Sequence, residues 1–523
     1  MTLTATVNRK DGRVIPLGPA EPAGSIGMDV SLQGTMPGGQ TSASLTVARD
    51  PILRELDPFD ELVIRESGGT EVWSGYGVEY PARDGEGPQV EISATGWSGY
   101  LKDNPPPPLV AVDRAFDKWT GPEAGNRAVR VASGWVPDKG ITASADQGGL
   151  LFASIEGASV TANNYAELWY QSSLAPIGSI GYKATAKNRT NITNDVPLYD
   201  NGPGFVSVTY NGTVQHATFA GPSKYVFFSP RATTTFTPAA GSGYVLHLTG
   251  IAVYGNHGIP LYDNGDDGFK GVLASDVIAW GLQQTCPLLT AEITPTTFVI
   301  PQLVEPDLDD MEALILKVNA TEMFDWGCFG KRFVYRPAGG GRTWVVRAAD
   351  PGVSLTDAGT QGEDLYTRAI VSYGDFGGRS LKAGYIGSGC DTESAALSDT
   401  TNNVLTQRGR PRTLKLSLTA ASTAARATQA GQVALQEMAR LSLRGDATLT
   451  GSAQDTNGVW RPITQIQAGD QIIFADRSWT PRRIVDLNYT EDTDTCAISL
   501  DSTPARLDAI LERMGVINES NNI

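Results

Sequence analysis

Residues 42–49 read Ser-Ala-Ser-Leu-Thr-Val-Ala-Arg, and small or apolar residues alternate there with polar ones. Successive side chains of a β-strand point to opposite faces, so this alternation predicts a strand with one buried face. Similar runs follow at Glu61–Arg65, Glu71–Val78 and Gln89–Gly96, with turn sequences between them. Short strands at this spacing predict a small β-barrel or sandwich, which we place in residues 1–109.

Four consecutive prolines at residues 105–108 mark a change in the chain. Proline has no backbone N–H to donate, so such a run cannot lie inside a sheet, and we place a domain boundary there. Residues 110–259 are richer in Gly, Ala, Ser, Thr and Asn and contain all three histidines of the chain. Runs such as Lys224–Phe228 and Gly243–Leu248 predict an inserted β-sandwich of jelly-roll type.

Helical patterns appear after residue 260. Residues 275–282 predict a short helix with Ser275 as its N-cap, and residues 309–325 predict a second helix whose apolar residues recur every three to four positions. An alanine-rich face predicts a third helix at residues 421–443, and a terminal helix is expected at residues 504–514.

Strand patterns continue between and after these helices. Arg332–Arg336 and Thr343–Arg347 flank Gly339–Gly341 and predict a hairpin. Later strands are expected at residues 471–474 and 495–500. We divide this part into an α+β domain, residues 260–412, and a β-barrel with helices, residues 413–523. The predicted fold class is therefore mainly β (α+β) and multidomain.

The formal net charge of the 523-residue chain is −16, and the sequence contains no run of Lys or Arg. A protein that grips nucleic acid through its phosphates needs a basic surface, so stable DNA binding is disfavoured, as is binding to anionic membranes. The acidity is compatible with a wall past which DNA slides. We expect no signal peptide and no transmembrane helix, and therefore synthesis in the cytoplasm.

Four cysteines, Cys286, Cys328, Cys390 and Cys496, lie far apart in the sequence and are expected to be free and mostly buried. The sequence contains no Ser-nucleophile, zinc-protease or phosphate-loop motif. We therefore predict no catalytic residue, no cofactor and no metal. Asp263–Gly268 resembles the start of a calcium loop, but position 274 is Ala where the loop needs Glu, so a polar turn is the preferred interpretation.

Aromatic residues stand out in the middle region, where charges are few. Trp119, Trp135, Trp169 and Tyr170 are candidate carbohydrate-binding residues, because exposed rings can stack on sugars. The alternative is that these rings belong to the sandwich core, since aromatic residues favour strands.

Several segments together resemble a known family. Residues 42–49, 57–64, 72–78 and 90–96 look like the N-terminal part of siphophage tail hub proteins, which are also called baseplate hub or tail-associated minor tail proteins. The helix that ends at Phe324–Gly327 with its following hairpin, the run Tyr366–Tyr373, and Ile466–Ile473 followed by Arg483–Leu487 are similar to the middle and C-terminal parts of that family. Residues 110–258 depart from it and are similar to carbohydrate-binding jelly rolls.

The resemblance implies a homotrimer in the virion, at the tail tip. Two tube-like barrels in each subunit would cap the hexameric tail tube, next to the distal tail and tail-tube proteins. The bore would pass the tape measure protein and then DNA, which is a partner only in transit, and other tail-tip or receptor-binding proteins would attach outside. Some members carry a fused peptidase or lysozyme domain after the hub, which we do not expect in this sequence.

Two other functions remain open from the sequence. The chain could be a carbohydrate-binding host-adsorption protein that contacts a cell-surface glycan through residues 110–259. It could also be a cell-wall hydrolase, although paired carboxylates cannot be located among 57 Asp and Glu residues. Stable membrane insertion is not expected under any of these functions.

Overall fold

The computed structural model describes residues 3–18, 29–79, 89–113, 254–263, 269–305, 307–319, 322, 324–356, 431–432, 445–476 and 478–500. Other strands named below are described by the pairing of their backbones. Among the described helices, none is long and apolar enough to cross a membrane.

The first 113 residues contain two short 3₁₀ helices, at Pro51–Glu55 and Trp97–Lys102. They also contain strands β1 (Leu3–Asn8), β2 (Val14–Leu17), β3 (Val30–Thr35), β4 (Gly38–Ala48), β5 (Glu61–Glu66), β6 (Glu71–Glu79), β7 (Gln89–Gly96) and β8 (Leu109–Asp113). The strands predicted from residues 42–49, 61–65, 71–78 and 89–96 are thus confirmed.

The middle region contains strands β9 (Arg127–Val131), β10 (Leu150–Glu156), β11 (Ala166–Gln171), β12 (Ile177–Asn188), β13 (Asn191–Val196), β14 (Leu198–Tyr199), β15 (Gln215–Ser223), β16 (Tyr225–Phe228), β17 (Arg231–Ala232) and β18 (Gly243–Gly255). Strand β18 is the centre of their sheet and pairs with β8, β10 and β12.

The next region, to residue 375, contains β19 (Tyr262–Asp263), β20 (Lys270–Leu273), α1 (Ala274–Thr285), β21 (Thr290–Ile293), β22 (Val299–Ile300), β23 (Leu303–Glu305), α2 (Met311–Asn319), β24 (Asp325–Phe329), β25 (Arg332–Arg336), β26 (Thr343–Val346), β27 (Val353–Thr356), β28 (Thr360–Gln361) and β29 (Arg368–Asp375). The last region contains β30 (Cys390–Ser394), β31 (Thr413–Ser422), β32 (Ser442–Leu443), β33 (Gly445–Thr450), β34 (Ser452–Asp455), β35 (Trp460–Pro462), β36 (Gln471–Phe474), β37 (Ser478–Thr490), β38 (Thr495–Leu500) and β39 (Val516–Ile517), with a 3₁₀ helix at Ile463–Gln465.

One branched 18-stranded sheet joins the two ends of the chain. Its longest antiparallel path runs β2–β1–β5–β6–β7–β4–β3–β37–β38–β33–β27. The step from β3 to β37 places Gln33 opposite Asn488. The mainly-β fold class is confirmed, and the strands expected to form separate N-terminal and C-terminal barrels share this one sheet.

The sheet covers a hydrophobic core on one of its faces. Alternate residues of its strands, such as Leu32, Leu45, Ile92 and Ile498, are buried there together with Trp344. Burying large apolar side chains stabilises a fold by about 1.5–3 kcal/mol each, so the face with these residues is fixed as the inner one. The opposite residues of the same strands must therefore point outward.

A second core lies around the two helices. The buried residues of α1 and α2, among them Ile278 and Leu314, pack with Trp326 of β24. The helices approach closely because Gly281 has no side chain, and a Cβ there would lie 2.6 Å from the Met311 sulfur. Strand β24 pairs in parallel with Gly38–Gly39 of β4, so the second core is attached to the large sheet.

The inserted region leaves and re-enters the second core through paired strands. Val112 of β8 lies opposite Tyr254 of β18, and β8 also pairs with β23 on its other edge. Leu109, Val112 and Tyr254 are all buried in the second core. The two chain segments that carry the insert are thus held side by side.

Four sequence predictions are wrong in detail. Ser275 is not the N-cap of α1, because the helix begins at Ala274 and the Ser275 hydroxyl instead accepts a hydrogen bond from the Thr296 backbone N–H. The second helix ends at Asn319, and residues 325–329 form the wholly buried strand β24, whose continuous burial hides the alternation that marks a strand.

The hairpin predicted from Arg332–Arg336 and Thr343–Arg347 is also wrong. Strand β25 pairs antiparallel with β24, whereas β26 pairs with β34 and in parallel with β36. The glycine-rich connection leads the chain from one core to the other. Of the helix predicted at residues 421–443, residues 421–422 are the end of strand β31, residues 431–432 are helical and residues 442–443 form strand β32, so the prediction is wrong at both ends. The other residues of that helix and the terminal helix at residues 504–514 lie outside the described residues.

Candidate functional site

The outward face of the large sheet has an unusual composition. It is formed by seven adjacent strands, in the order β27, β33, β38, β37, β3, β4 and β7. We call the following outward side chains the polar face: Ser354, Thr356, Asp446, Thr448, Thr450, Thr495, Ala497, Ser499, Asp486, Asn488, Thr490, Ser31, Gln33, Thr35, Ser42, Ser44, Thr46, Gln89, Glu91, Ser93 and Thr95. Every member carries a hydroxyl, an amide, a carboxylate or a single methyl group.

The registers of neighbouring strands align these side chains in rows across the sheet. One row runs Ser354, Thr448, Ala497, Asn488, Gln33, Ser42 and Thr95. Because directly opposed residues of antiparallel strands have Cβ atoms about 4.5–5.5 Å apart, members of a row are neighbours in space. The row is therefore one continuous surface built from both ends of the chain.

Hydrogen bonds between strands hold several of these side chains in place. The Thr35 hydroxyl donates to Asp486 over 2.7 Å, and the Ser499 hydroxyl donates to Asp446 over 2.8 Å. The Ser42 hydroxyl donates to the Gln33 side-chain oxygen over 3.0 Å. These contacts keep the short side chains close to the sheet, so the face stays flat and hydrophilic.

A shallow depression of about 360 Å³ lies in the middle of the polar face, and its lining includes Gln33, Thr35, Asp446 and Asp486. Its only formally charged members are the two carboxylates, so it repels anions. Nucleic-acid binding needs cationic side chains to neutralise phosphates, and none of the polar-face residues supplies one. The surface can therefore lie beside a polyanion without holding it.

Buried polar contacts fix the N-terminal strands against the C-terminal ones. Glu66 at the end of β5 accepts hydrogen bonds from the Thr464 hydroxyl and the Gln465 amide. Glu491, just after β37, accepts a hydrogen bond from the Leu3 backbone N–H over 2.9 Å. These contacts span almost the whole chain length and set the register on which the polar face depends.

Gln40, near the start of β4, also connects distant strands through hydrogen bonds. Its amide nitrogen donates to the Val72 carbonyl over 2.7 Å, and its amide oxygen accepts from the Gly330 backbone N–H over 2.8 Å. The side chain is buried, so both amide groups are satisfied by protein partners. Gln40 thereby joins β4 to β6 and to the β24–β25 turn.

Two buried carboxylates lie between the two cores. Asp325 of β24 forms an ion pair with Arg483 of β37 at 2.5 Å, and Asp470 accepts the Trp344 indole N–H over 2.8 Å. Burial raises the pKa of Asp470, and the hydrogen bonds it accepts oppose that rise. The Asp325–Arg483 pair orients β37, the strand that meets β3, and the Asp470–Trp344 hydrogen bond attaches β26 to the turn before β36.

The pKa of Glu491 is raised by burial, while its hydrogen bonds from the Leu3 and Val30 backbone oppose that rise. A carboxyl group whose pKa is higher in the folded state contributes most stability below its unfolded pKa and loses it as pH rises through the folded pKa. We therefore expect the stability of Glu491→Gln, relative to that of the wild type, to increase as the pH rises from about 4 to about 7. The amide oxygen of the variant can still accept the Leu3 N–H. Urea denaturation at several pH values measures this difference, and a difference that stays constant with pH would contradict it.

Two of the four carbohydrate-binding candidates lie on a strand of a separate three-stranded sheet. Trp119 and Trp135 lie outside the described residues, and Trp169 and Tyr170 lie on β11. There Trp169 is in register with Phe227 of β16 and Ala128 of β9. Sugar binding by these four residues stays a prediction.

Three of the four cysteines and His257 lie in the described part of the chain and pack inside the fold. Cys286, Cys328 and Cys496 are free and buried, and burial raises the pKa of each thiol. His257 packs edge-on against Trp280 at 5.3 Å between ring centroids. Within the described part of the chain, no group of three His, Cys, Asp or Glu side chains could hold a metal ion.

The polar face itself was not singled out from the sequence. The signal was present in the outward positions of single strands, such as the hydroxyls of Ser42, Ser44 and Thr46. What the sequence lacked was the order of the strands, because neighbours in the face, such as β3 and β37, are more than 400 residues apart along the chain.

No protein-family model matches the chain, and no curated protein matches it. Among solved structures, the chain is similar to the 43 kDa tail protein of prophage MuSo2 from Shewanella oneidensis, with 9% identity and a TM-score of 0.44 over 97% of this chain and 99% of that one. It is similar to a tail protein from Neisseria meningitidis, with 6% identity and a TM-score of 0.42 over 97% and 98%. A prophage tail protein from Listeria monocytogenes gives 10% identity and a TM-score of 0.29 over 74% and 98%.

Proposed function

We propose that this chain is a structural, non-enzymatic hub protein at the tail tip of a bacteriophage virion. As a trimer it caps the tail tube, forms the channel for the tape measure protein and DNA, and anchors host-recognition components. The sequence resemblance described above motivates the proposal, and the polar face is the structural observation that supports it.

The chemistry of the polar face suits the wall of such a channel. DNA that passes through a narrow bore must not bind to its wall, and a wall of hydroxyl, amide and carboxylate groups offers no cation to a phosphate. Short hydroxyl side chains also expose little apolar surface to a passing polypeptide. In this proposal the polar face lines the bore, and the buried core behind it keeps the wall rigid.

The inserted region suits the outside of the same particle. Because β8 and β18 leave the second core side by side, residues 110–259 can be accommodated without interrupting the large sheet. We propose that this region is a separate module on the outer surface, between hub parts formed by residues 1–109, 260–412 and 413–523.

The mass of the purified chain in solution is the first test. Light scattering at several concentrations is expected to give a mass of three subunits, because an obligate interface of a hub ring buries on the order of 2,000 Å² or more. Immunogold labelling of virions is expected to mark the tail tip. A chain that remains monomeric and is absent from purified particles would refute the hub.

Access to the polar face gives a second test. In the trimer, a cysteine introduced as Gln33→Cys is expected to react more slowly with a bulky maleimide than Ser67→Cys, which lies on the exposed turn between β5 and β6. Three native thiols are buried, so the wild type provides the background rate. Equal rates in the intact trimer would show that the polar face is on the outside.

A further inference from the structure

The inserted region joins the second core at a junction of two strands that lie side by side. Residues 110–259 leave along β8 and return along β18, and the last backbone pair between these strands is Tyr254 opposite Val112. Gly255 then passes so close to β8 that a Cβ there would lie 1.8 Å from the Val110 carbonyl oxygen. The returning chain is therefore pressed against β8 at the point where the strand pairing ends.

A histidine side chain supplies the next hydrogen bond along this edge of β8. Strand β18 ends at Gly255, and the backbone N–H of Val110 donates instead to Nε2 of His257 over 3.4 Å. Val110 is only 2% exposed, so its N–H group would be costly to leave without an acceptor. His257 thus closes the junction where the backbone of β18 no longer can.

The His257 ring is held in place on both sides. A Cβ on Gly255 would lie 2.7 Å from Cδ2 of the ring, so the backbone approaches the imidazole closely there. Trp280 of α1 meets the ring edge-on, with 5.3 Å between the ring centroids, and Trp280 itself packs against the second core. The ring therefore connects the returning chain to both β8 and α1.

This contact requires a neutral imidazole. Because Nε2 accepts a hydrogen bond, the neutral ring carries its proton on Nδ1, and a second proton would turn Nε2 into a donor. Burial lowers the pKa of His257 below its ordinary value of 6.5. The stability contributed by the neutral ring is therefore present above pH 6.5 and is lost as the pH falls below that value towards the folded pKa.

The titratable groups on the surrounding elements do not offer the ring a compensating charge. Among the described residues, burial is the only cause of the lowered pKa of His257. Asp276 accepts a hydrogen bond from Tyr262, and Glu305 is paired with Lys317. The titratable residues of the elements around the ring are Asp113 of β8, Tyr254 of β18, Lys270 of β20, Asp276 of α1 and Glu305 of β23.

We infer that His257 is an acid-sensitive latch at the base of the inserted region. Protonation of its ring removes the acceptor of the Val110 N–H and sets two N–H groups against each other, so β8 and the returning chain separate at the junction. The inserted region thereby gains freedom to change its orientation on the second core in acid. All parts of the latch belong to one chain, so the inference does not depend on the proposed hub or its trimer.

Hydrogen exchange at the Val110 amide of the full chain tests the latch. The protection factor, which corrects for the intrinsic effect of pH on exchange, is expected to fall about ten-fold or more between about pH 7.5 and about pH 5. The protection factor of Leu45, which lies opposite Ile92 in the large sheet, is expected to change less than about two-fold. An unchanged value at Val110 overturns the inference, and so does an equal fall at both amides, which would mean general unfolding in acid.

Replacing the histidine tests whether its protonation is the cause. In His257→Gln the amide oxygen can accept the Val110 N–H but does not titrate, so the protection factor of Val110 is expected to be the same at both pH values. His247→Gln removes another histidine, on β18, and is the matched control that keeps the wild-type fall. Circular dichroism checks that both variants fold. A fall in His257→Gln as large as that in the wild type overturns the inference.

Discussion

Replacing Asp325 with alanine is expected to lower the free energy of unfolding by about 2–4 kcal/mol, because it leaves the half-buried Arg483 guanidinium without its carboxylate and the Gly339 N–H without its acceptor. The Asp325 carboxylate is 2% exposed, contacts the Arg483 guanidinium at 2.5 Å and accepts the Gly339 backbone N–H over 3.0 Å. Another nitrogen of Arg483, Nε, is already buried without a hydrogen-bond partner. Urea denaturation followed by tryptophan fluorescence measures the loss.

Two further variants show whether the unpaired charge causes this loss. The double variant Asp325→Ala with Arg483→Met removes both charges and is expected to recover a large part of the stability. Asp446→Ala removes an exposed carboxylate of the polar face and is expected to change stability by no more than about 0.5 kcal/mol. A loss below about 1 kcal/mol for Asp325→Ala would mean that the ion pair does not hold β24 against β37.

Truncating Trp344 to alanine is expected to cost about 3–5 kcal/mol, since the side chain is fully buried and its removal leaves a cavity in the first core. The indole also donates to Asp470, which accepts two backbone N–H groups, from Arg342 and Gln467, as well. The truncation therefore removes both packing and a hydrogen bond. Denaturation in urea at pH 7 measures the sum.

The Trp344→Phe variant separates the two contributions. Phenylalanine keeps much of the ring but cannot donate, so the expected loss is about 1–3 kcal/mol. Burial raises the pKa of Asp470, and a carboxylate with fewer donors is harder to keep charged. The loss is therefore expected to be larger at pH 8 than at pH 4, where protonation of the carboxyl removes its charge. A loss that is the same at both pH values would show that Asp470 does not need the indole donor.

Many strands could be predicted from the sequence because the alternation of apolar and polar residues is a local pattern. Residues 471–474 and 495–500 are strands with the bounds expected from alternation, since each strand shows its own inner and outer face. The pattern at residues 325–329 failed because β24 is buried on both faces, which removes the alternation. Ser275 does not cap α1, because its hydroxyl accepts a hydrogen bond from the backbone N–H of Thr296, a contact that the local sequence does not show.

The sequence by itself determined the β-rich class, most strand positions and the scarcity of cations that makes the polar face possible. Only the tertiary structure decided which strands are neighbours: β3 lies beside β37, and Glu491 reaches back to Leu3. Alternation along one strand tells which residues are buried, but it contains no information on the strand alongside. That choice is made by contacts between distant residues, and it is this choice that assembles short polar patterns from both ends of the chain into one surface.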